Sequence, residues 1–463
     1  MTDQNLTVEN VDPSTLLVDV NVRSDAALDK DFLASIRDLG VLVPVVAVRT
    51  PDDALRVRYG HRRTLAAVEV GRASVPVIVT GDDDADETAR IVSQWHENEH
   101  RAGLSTADKV AAVEQLSLLG LSAAQIVKKT RGRKDDVERA LATASSALAK
   151  GAATRYDFLT LDMAAAVAEF DDQPETVKAL VASAKSSEGE FAHCLQRARD
   201  EREEAAKVTA LTAELAAAGV SIIDRPRHDE RDTHPIDNLA DDKGKPLAAA
   251  GHAACPGHAA YIGRDWRGVR PVYVCTQVKT AGHRDRYSSS GRPAGTPMTD
   301  AEKQERRQVL ANNKAWKSAE TVRRAFLTKL LARKAAPKGS ATYVAGELGR
   351  GIHEIRRGME RSHHLAAELL GLDPAKGRDV IAASAADATD ARAQVLALAV
   401  VLGDIEEATS TDTWRHSSDT VRRYFAFLVA NGYELADVEK LAAGQAKRRR
   451  SAARGNVGSD TAA

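Results

Sequence analysis

Apolar positions along residues 16–80 change period several times. LLVDV, starting at Leu16, is a short apolar run of the strand type. LDKDFLASIRDLG then places Phe32, Leu33, Ile36 and Leu39 on one helical face, with Gly40 closing the helix. VLVPVVAVR and ALRVRYG read as strands, HRRTLAAVEV as a helix ended by Gly71, and VPVIVTG as a further strand. The acidic residues 81–87 read as a loop. From Ser105 the period is purely helical, and Ser105 with Asp108 and Ser122 with Gln125 have the spacing of capping boxes. Helices continue past Pro174 and through the charged stretch Arg197–Glu204 to about Gly219. Residues 220–300 differ: VSIID is strand-like, DDKGKP reads as a linker, and Gly, His, Tyr and Pro become frequent. Ala- and Arg-rich helices return from about Asp300 and run to Gly444, before a KRRR tail of disordered character.

This alternation predicts an α+β protein of several domains. A small mixed α/β domain occupies 1–100 and a helical domain 101–219. A hairpin region with linkers follows over 220–300, then a helical domain over 301–445 and a disordered tail over 446–463. At 463 residues the chain exceeds what one core supports. Aromatic residues are only 4%, so the cores are expected to be helical and built from small side chains. Sixty-five basic residues against 66 acidic ones leave a net charge of −1, so any affinity for nucleic acid has to reside in local basic patches. Three cysteines are too few for a disulfide framework in a chain this long. The N-terminal segment is polar and acidic rather than leader-like, and the longest apolar run, near Val395 to Leu402, is too short to span a membrane. The expected compartment is a reducing cytoplasm, with no membrane partner.

GHRRTLAA begins at Gly60, straight after the strand LRVRY and at a helix start. Glycine there lets a ligand approach the backbone, while free helix-start N–H groups and the Arg62 and Arg63 guanidiniums suit anionic oxygens. Alone, such a GxRR reads more readily as a solvated helix face. WHENEHRAGLS adds Glu97, Asn98 and Arg101 within one helical turn, a trio able to bind a metal-bridged phosphate.

The order of segments carries more weight than either motif. NVR at 21–23, GVLVPVVAVR from Gly40, YGHRRTLAA, VPVIV and then ENEHR resemble the ParB-type N-terminal domain, whose typical pattern runs NPR, G-(I/L)-x-x-P-(I/L)-x-V, GERRxRA, ENxxR. The resemblance covers about residues 10–145. It implies a domain that binds CTP with Mg2+ and closes a dimer into a clamp sliding on DNA. Gly40 and Pro44 would then lie by the base, Gly60, His61, Arg62 and Arg63 by the phosphates, and Glu97, Asn98 and Arg101 would complete the phosphate and metal contacts. Two departures stand out. His61 occupies a position associated with hydrolysis and usually held by glutamate, and Leu65 replaces a third arginine. An imidazole cannot serve as a carboxylate base, so nucleotide binding is expected and turnover stays open, with Glu97 the catalytic candidate for a slow CTP hydrolase. The short basic arm with which many family members stimulate a ParA-type ATPase is missing, which leaves that partner in doubt.

LSAAQIVKKTRGRKDDVERALA at 121–142 has the layout of a helix-turn-helix, a first helix capped by Ser122, a turn over Thr130 to Gly132 and a second helix. Gln125, Lys128, Lys129, Arg131, Arg133, Lys134, Asp136 and Arg139 are the candidates for contact with double-stranded DNA. Val127 stands where a small alanine is common, and Gly132 comes one residue late for the turn.

Further along, Cys255, His258, Cys275 and His283 are spaced C-x2-H-x16-C-x7-H around the strand-like runs AAYI and PVYVC. A hairpin would gather them into a structural Zn2+ site, with His252 able to substitute for one of the four. Reduced thiols with incidental histidines are an equal alternative, and Cys194 reads as a packed core residue. Over 301–338, Val322, Phe326 and Leu330 form an apolar row beside Leu327 and Leu331. Arg306, Arg307, Lys314, Lys317, Arg323, Arg324, Lys329, Arg333, Lys334 and Lys338 form a basic outer face, suited to solvent or to non-specific DNA contacts. The long C-terminal region resembles the longer ParB-like proteins of high-GC Gram-positive bacteria and their plasmids, and dimerisation is expected of it by analogy.

The leading reading is a nucleoid-associated, CTP-dependent partition clamp on a palindromic site. A helix-turn-helix transcriptional regulator with a non-switching pocket is the alternative, and a nuclease-like enzyme the weakest, since no Asp/Glu/His cluster has metal-nuclease spacing outside Glu97.

Overall fold

The structure is a computed structural model that describes residues 7–18, 28–50, 52–80, 88, 91–92, 94–96, 104–226, 232–265, 268–286 and 300–445. It is an α+β protein of two compact units, Met1–Phe191 and Ala192–Ala463.

The first unit opens with a four-stranded sheet. β1 (Thr7–Val11), β2 (Val45–Arg49), β3 (Leu55–Tyr59) and β4 (Val75–Thr80) are ordered β1-β4-β2-β3; β2 and β4 are parallel, and the other two pairs antiparallel. The strand expected at LLVDV is only a bridge between Leu17 and Arg56 over the described part, and the sheet instead recruits Thr7–Val11 from the segment read as polar. β1 is an edge strand, where polar residues are tolerated, and its Val8 lies 59% exposed. Val45, Ala47, Val57, Val75 and Val77 are completely buried beneath α1 (Lys30–Leu39) and α2 (His61–Glu69), which contribute Ile36, Ala66 and Ala67. Asp29 caps α1 by accepting the Phe32 N–H at 2.7 Å. Leu39, placed by periodicity on the buried face, is 63% exposed at the last position of the helix, before the Gly40 cap.

Five helices follow: α3 (Thr106–Leu118), α4 (Ala123–Thr130), α5 (Lys134–Ser145), α6 (Ala147–Arg155) and α7 (Leu161–Ala168); α8 (Pro174–Ser186) then starts on a proline at its first position. Val113, Leu116, Ile126, Val137 and Ala140 form one core, which also takes in Ile91 and Trp95 from the end of the segment read as the first domain. The helical core therefore begins before residue 100.

In the second unit α9 (Glu188–Ala217) is followed by a small sheet region: β5 (Ser221–Ile222), β6 (His234–Pro235), β7 (Leu239–Ala240), the short α10 (Ala249–His252), β8 (His258–Asp265), β9 (Gly268–Cys275) and β10 (Arg284–Asp285). β8 and β9 form the expected hairpin, in the order β5-β8-β9-β6, and β7 pairs with β10. DDKGKP is a tight turn rather than a linker. The Asp241 carboxylate accepts from the Lys243 and Lys245 N–H groups at 3.0 and 2.8 Å, and Gly244 takes φ +83°.

The C-terminal helices are α11 (Asp300–Leu331), α12 (Ser340–Gly349), α13 (His353–Glu360), α14 (His364–Leu369), α15 (Arg378–Ala386), α16 (Asp390–Ala408), α17 (Asp419–Ala430) and α18 (Asp437–Ala442). Trp316, Leu327, Leu331, Leu398, Leu402, Tyr424, Phe425 and Leu428 are the heart of their core. One member of the expected basic face of α11 is misplaced by periodicity: Arg323 is completely buried in this core. Its Nε and Nη2 donate to Glu406 at 2.6 and 2.9 Å, and Nη1 donates to Glu439 at 2.5 Å.

Candidate functional site

At the head of α2, Gly60 adopts φ +101°, a left-handed turn that swings the chain from β3 into the helix. Arg63, one turn in, folds back and donates through Nη1 to the carbonyls of Val43 and of Pro44, the latter at 2.8 Å. A Cβ at Gly60 would lie 3.2 Å from the Arg63 guanidinium and 3.3 Å from Val45, so glycine is required on steric grounds as well. Arg62 points the other way. Its Nη2 meets the Asp29 carboxylate at 3.1 Å while its guanidinium lies 4.8 Å over the Phe32 ring. The Phe32 N–H, and behind it Arg62, hold the Asp29 carboxyl below the usual carboxylate range. His61 is 6% exposed.

The structure thus brings Pro44, Gly60 and Arg63 together, with Arg62 beside them. Gly40 lies against the Arg72 guanidinium, whose Nη2 would be 2.7 Å from a Cβ there. Glu97, Asn98 and Arg101 lie outside the described residues.

Next to this domain, α4 and α5 form a helix-turn-helix. Ser122 and Gln125 cap α4 reciprocally, so the Gln125 side-chain oxygen is engaged by the Ser122 N–H at 2.8 Å. Arg131 takes the left-handed turn position, with φ +53°, and Gly132 follows it without a positive φ. Thr130 stitches the turn, its hydroxyl donating to Ile126 O at 2.8 Å and accepting from the Gly132 N–H at 3.3 Å. Lys128, Lys129, Arg131, Arg133 and Lys134 are exposed around the turn and the start of α5. Arg139 is held sideways instead, 2.8 Å from Asp162 and 3.3 Å from Asp136. A contact missed in the sequence joins the preceding segment to the motif: His96 Nε2 lies 3.1 Å from the Lys129 carbonyl at the end of α4. Trp95, buried in the helical core beside it, was the one available signal.

In the second unit the donors of four side chains lie within 4.8 Å of one another: His252, Cys255, Cys275 and His283. His258, chosen from spacing, stands just outside. It begins β8, and its ring stacks on Tyr273 with centroids 5.6 Å apart, so the strand holds it on the sheet face. His252, at the end of α10, turns its ring over the cysteines instead. Burial, then the His283 and His258 rings, hold the His252 pKa below the usual imidazole value; burial pushes the Cys275 thiol up.

A glycine-headed helix on a mixed sheet is thus followed, in the same compact unit, by a helix-turn-helix with exposed cations. Residues 2–95 match the family model of the ParB N-terminal domain. Over 113 residues the chain is 29% identical to the probable chromosome-partitioning protein ParB of Treponema pallidum (strain Nichols), a match covering 24% of this chain and 34% of that one. The chain thus spans about a third of the length of that relative. Among solved structures, it is similar to the C-terminally truncated ParB of Caulobacter crescentus complexed to the centromeric parS site, at 19% identity over 37% of this chain and 91% of that one, with a TM-score of 0.28. The same Caulobacter protein complexed with CTP-gamma-S gives 21% identity, 37% and 97% coverage and a TM-score of 0.18. Among the described residues no helix is long and apolar enough to cross a membrane.

Proposed function

We propose that this chain is a DNA-binding partition protein of the ParB type, a homodimeric clamp that loads at a palindromic site on double-stranded DNA and closes on CTP with Mg2+. The observation that supports it most is the union in one compact unit of a ParB N-terminal domain, with Gly60 and Arg63 built against the Val43–Pro44 loop, and an exposed cationic helix-turn-helix. Helix-start N–H groups of α2 and the flanking guanidinium of Arg62 are chemically suited to phosphate oxygens, and Pro44 borders the same spot. Lys128, Lys129, Arg131, Arg133 and Lys134 supply phosphate contacts and base-edge donors at the start of a recognition helix. His96 on the Lys129 carbonyl gives the nucleotide domain a handle on that helix. Glu97, Asn98 and Arg101 remain the proposed phosphate and metal partners, and slow CTP hydrolysis through Glu97 stays open. A ParA-type ATPase would be the partner for segregation.

The second reading, a transcriptional regulator whose pocket does not switch, draws on the buried His61 in place of glutamate. A nucleotide panel (CTP, ATP, GTP and UTP with Mg2+) run with and without genomic DNA fragments separates the two. Arg62 is the better probe residue, because Arg63 also braces main-chain carbonyls. Arg62→Ala is expected to weaken CTP binding about 10–100-fold, the loss of a charged hydrogen bond, without unfolding the domain. Unchanged CTP affinity in the variant ends the phosphate assignment, and no CTP binding in the parent chain leaves the regulator.

A further inference from the structure

The geometry points to a structural Zn2+ site in the small sheet region, and we propose that His252, Cys255, Cys275 and His283 are its four ligands, with His258 as a supporting partner. The ligand pattern is H-x2-C-x19-C-x7-H.

Two successive turns before the β8–β9 hairpin and one after it bring the donors together. α10 ends on His252, the Cys255 N–H donates to His252 O at 2.9 Å, and the His258 N–H donates to Cys255 O at 2.9 Å. The CPGH turn so formed presents the Cys255 sulfur to the end of β9, where Cys275 is wholly buried. A Cβ at Gly257 would lie 3.0 Å from the Cys275 sulfur, so the turn can come this close only with glycine there. Past β9 a turn closed by the His283 N–H donating to Val278 O at 3.0 Å swings His283 back over the same point.

The distances are those of a ligand cage. His252 Nε2 and His283 Nε2 are 3.0 Å apart, and Cys255 Sγ is 3.7 Å from His283 Nε2. Tetrahedral Zn2+ with bonds of about 2.05 Å to nitrogen and 2.3 Å to sulfur separates its ligand atoms by roughly 3.3–3.8 Å. The widest separation present, at most 4.8 Å, closes with a shift of about an ångström. Two sulfurs and two imidazole nitrogens in a tetrahedron select zinc over the harder cations.

The surrounding groups fit ligands rather than incidental neighbours. His252 aims Nε2 at the centre while its Nδ1 lies 3.0 Å from His258 Nδ1, so the second ring fixes the tautomer and orientation of the first. The Gln277 backbone N–H donates to the Cys275 sulfur and fixes its direction. The region's local apolar cluster is Leu239, Cys275 and Val278, with Leu247, Cys255 and Ala281 partly buried against it, and a core that small needs a staple. Reading from spacing alone chose His258 because it falls two residues after the cysteine; the chosen ring is the supporting one.

The test uses the full chain, purified under reducing conditions. Elemental analysis is expected to give one zinc per chain. After removal of the zinc, Co2+ titration is expected to give intense tetrahedral d–d bands and thiolate-to-cobalt charge transfer saturating at one equivalent. Cys275→Ser and His252→Ala should lose the stoichiometric metal, whereas His258→Ala should keep it and bind about 10–100-fold more weakly. Because the ligand variants risk misfolding, the cobalt spectrum of the unaltered chain stands as an independent measure. No metal uptake by that reduced chain, a Cys255–Cys275 disulfide whose reduction restores no uptake, or loss of metal in His258→Ala with retention in His252→Ala would each overturn the site.

Discussion

Arg323 is the residue at which charge and burial meet most sharply. A guanidinium taken wholly out of water is tolerated only when its donors are matched, and here Glu406 is gripped in a fork and Glu439 takes the remaining amine. Both carboxylates are themselves buried, so neutral donors complete their shells. Tyr424 donates to Glu406 at 2.8 Å, Tyr433 to Glu439 at 3.0 Å, and the Ala436 N–H to Glu439 at 2.8 Å. Arg324 approaches Glu406 at 3.6 Å while its Nη2 meets Glu320 at 2.5 Å. The Trp316 and Phe425 rings lie 5.0 and 5.6 Å from the Arg323 guanidinium and shut out water. Arg323→Ala should therefore cost about 3–5 kcal/mol in a urea titration followed by tryptophan fluorescence, because it strands two buried carboxylates. Arg323→Lys should recover only part of that, since an ammonium cannot make the fork. A loss below about 1 kcal/mol for the alanine variant would mean that the network contributes little.

At the scale of elements, the turn between α4 and α5 shows a cost accepted in place. The left-handed position belongs to Arg131, although Gly132 is the next residue, and a non-glycine side chain there costs roughly 1–2 kcal/mol. Arg131→Gly should accordingly raise the thermal midpoint of the full chain while lowering its affinity for DNA, as calorimetry and fluorescence anisotropy would record. A lower midpoint would show that the Arg131 side chain stabilises the turn. The same turn shows how far a motif can be read. Ser122, Gln125, Ile126 and Val137 occupy the places their spacing predicts. Arg139, assigned outward from its helical phase, is drawn to Asp162 on α7, an acid that no local pattern connects with it.

For the whole molecule, a net charge of −1 means that overall attraction to a polyanion is absent, so binding has to come from the cations concentrated around one turn. The salt dependence of DNA binding then reports that patch directly. Lys128→Ala combined with Lys129→Ala should flatten the slope of log K against log salt by about two per protomer, roughly 0.9 for each phosphate no longer neutralised. An unaltered slope would place the DNA-facing surface elsewhere.

Hydrophobic period, capping residues and glycine placement are local properties, and they determined most of the helices, the β8–β9 hairpin, the helix-turn-helix and the segment order that resembles ParB. Three-dimensional packing decided what depends on partners distant in the chain. It recruited Thr7–Val11 as an edge strand and took Arg323 into the core to meet carboxylates 83 and 116 residues away. It also set His252 rather than His258 among the cysteines. Spacing counts residues along the chain, whereas a ligand cage or a buried ion pair is specified by where side chains point after the backbone has turned.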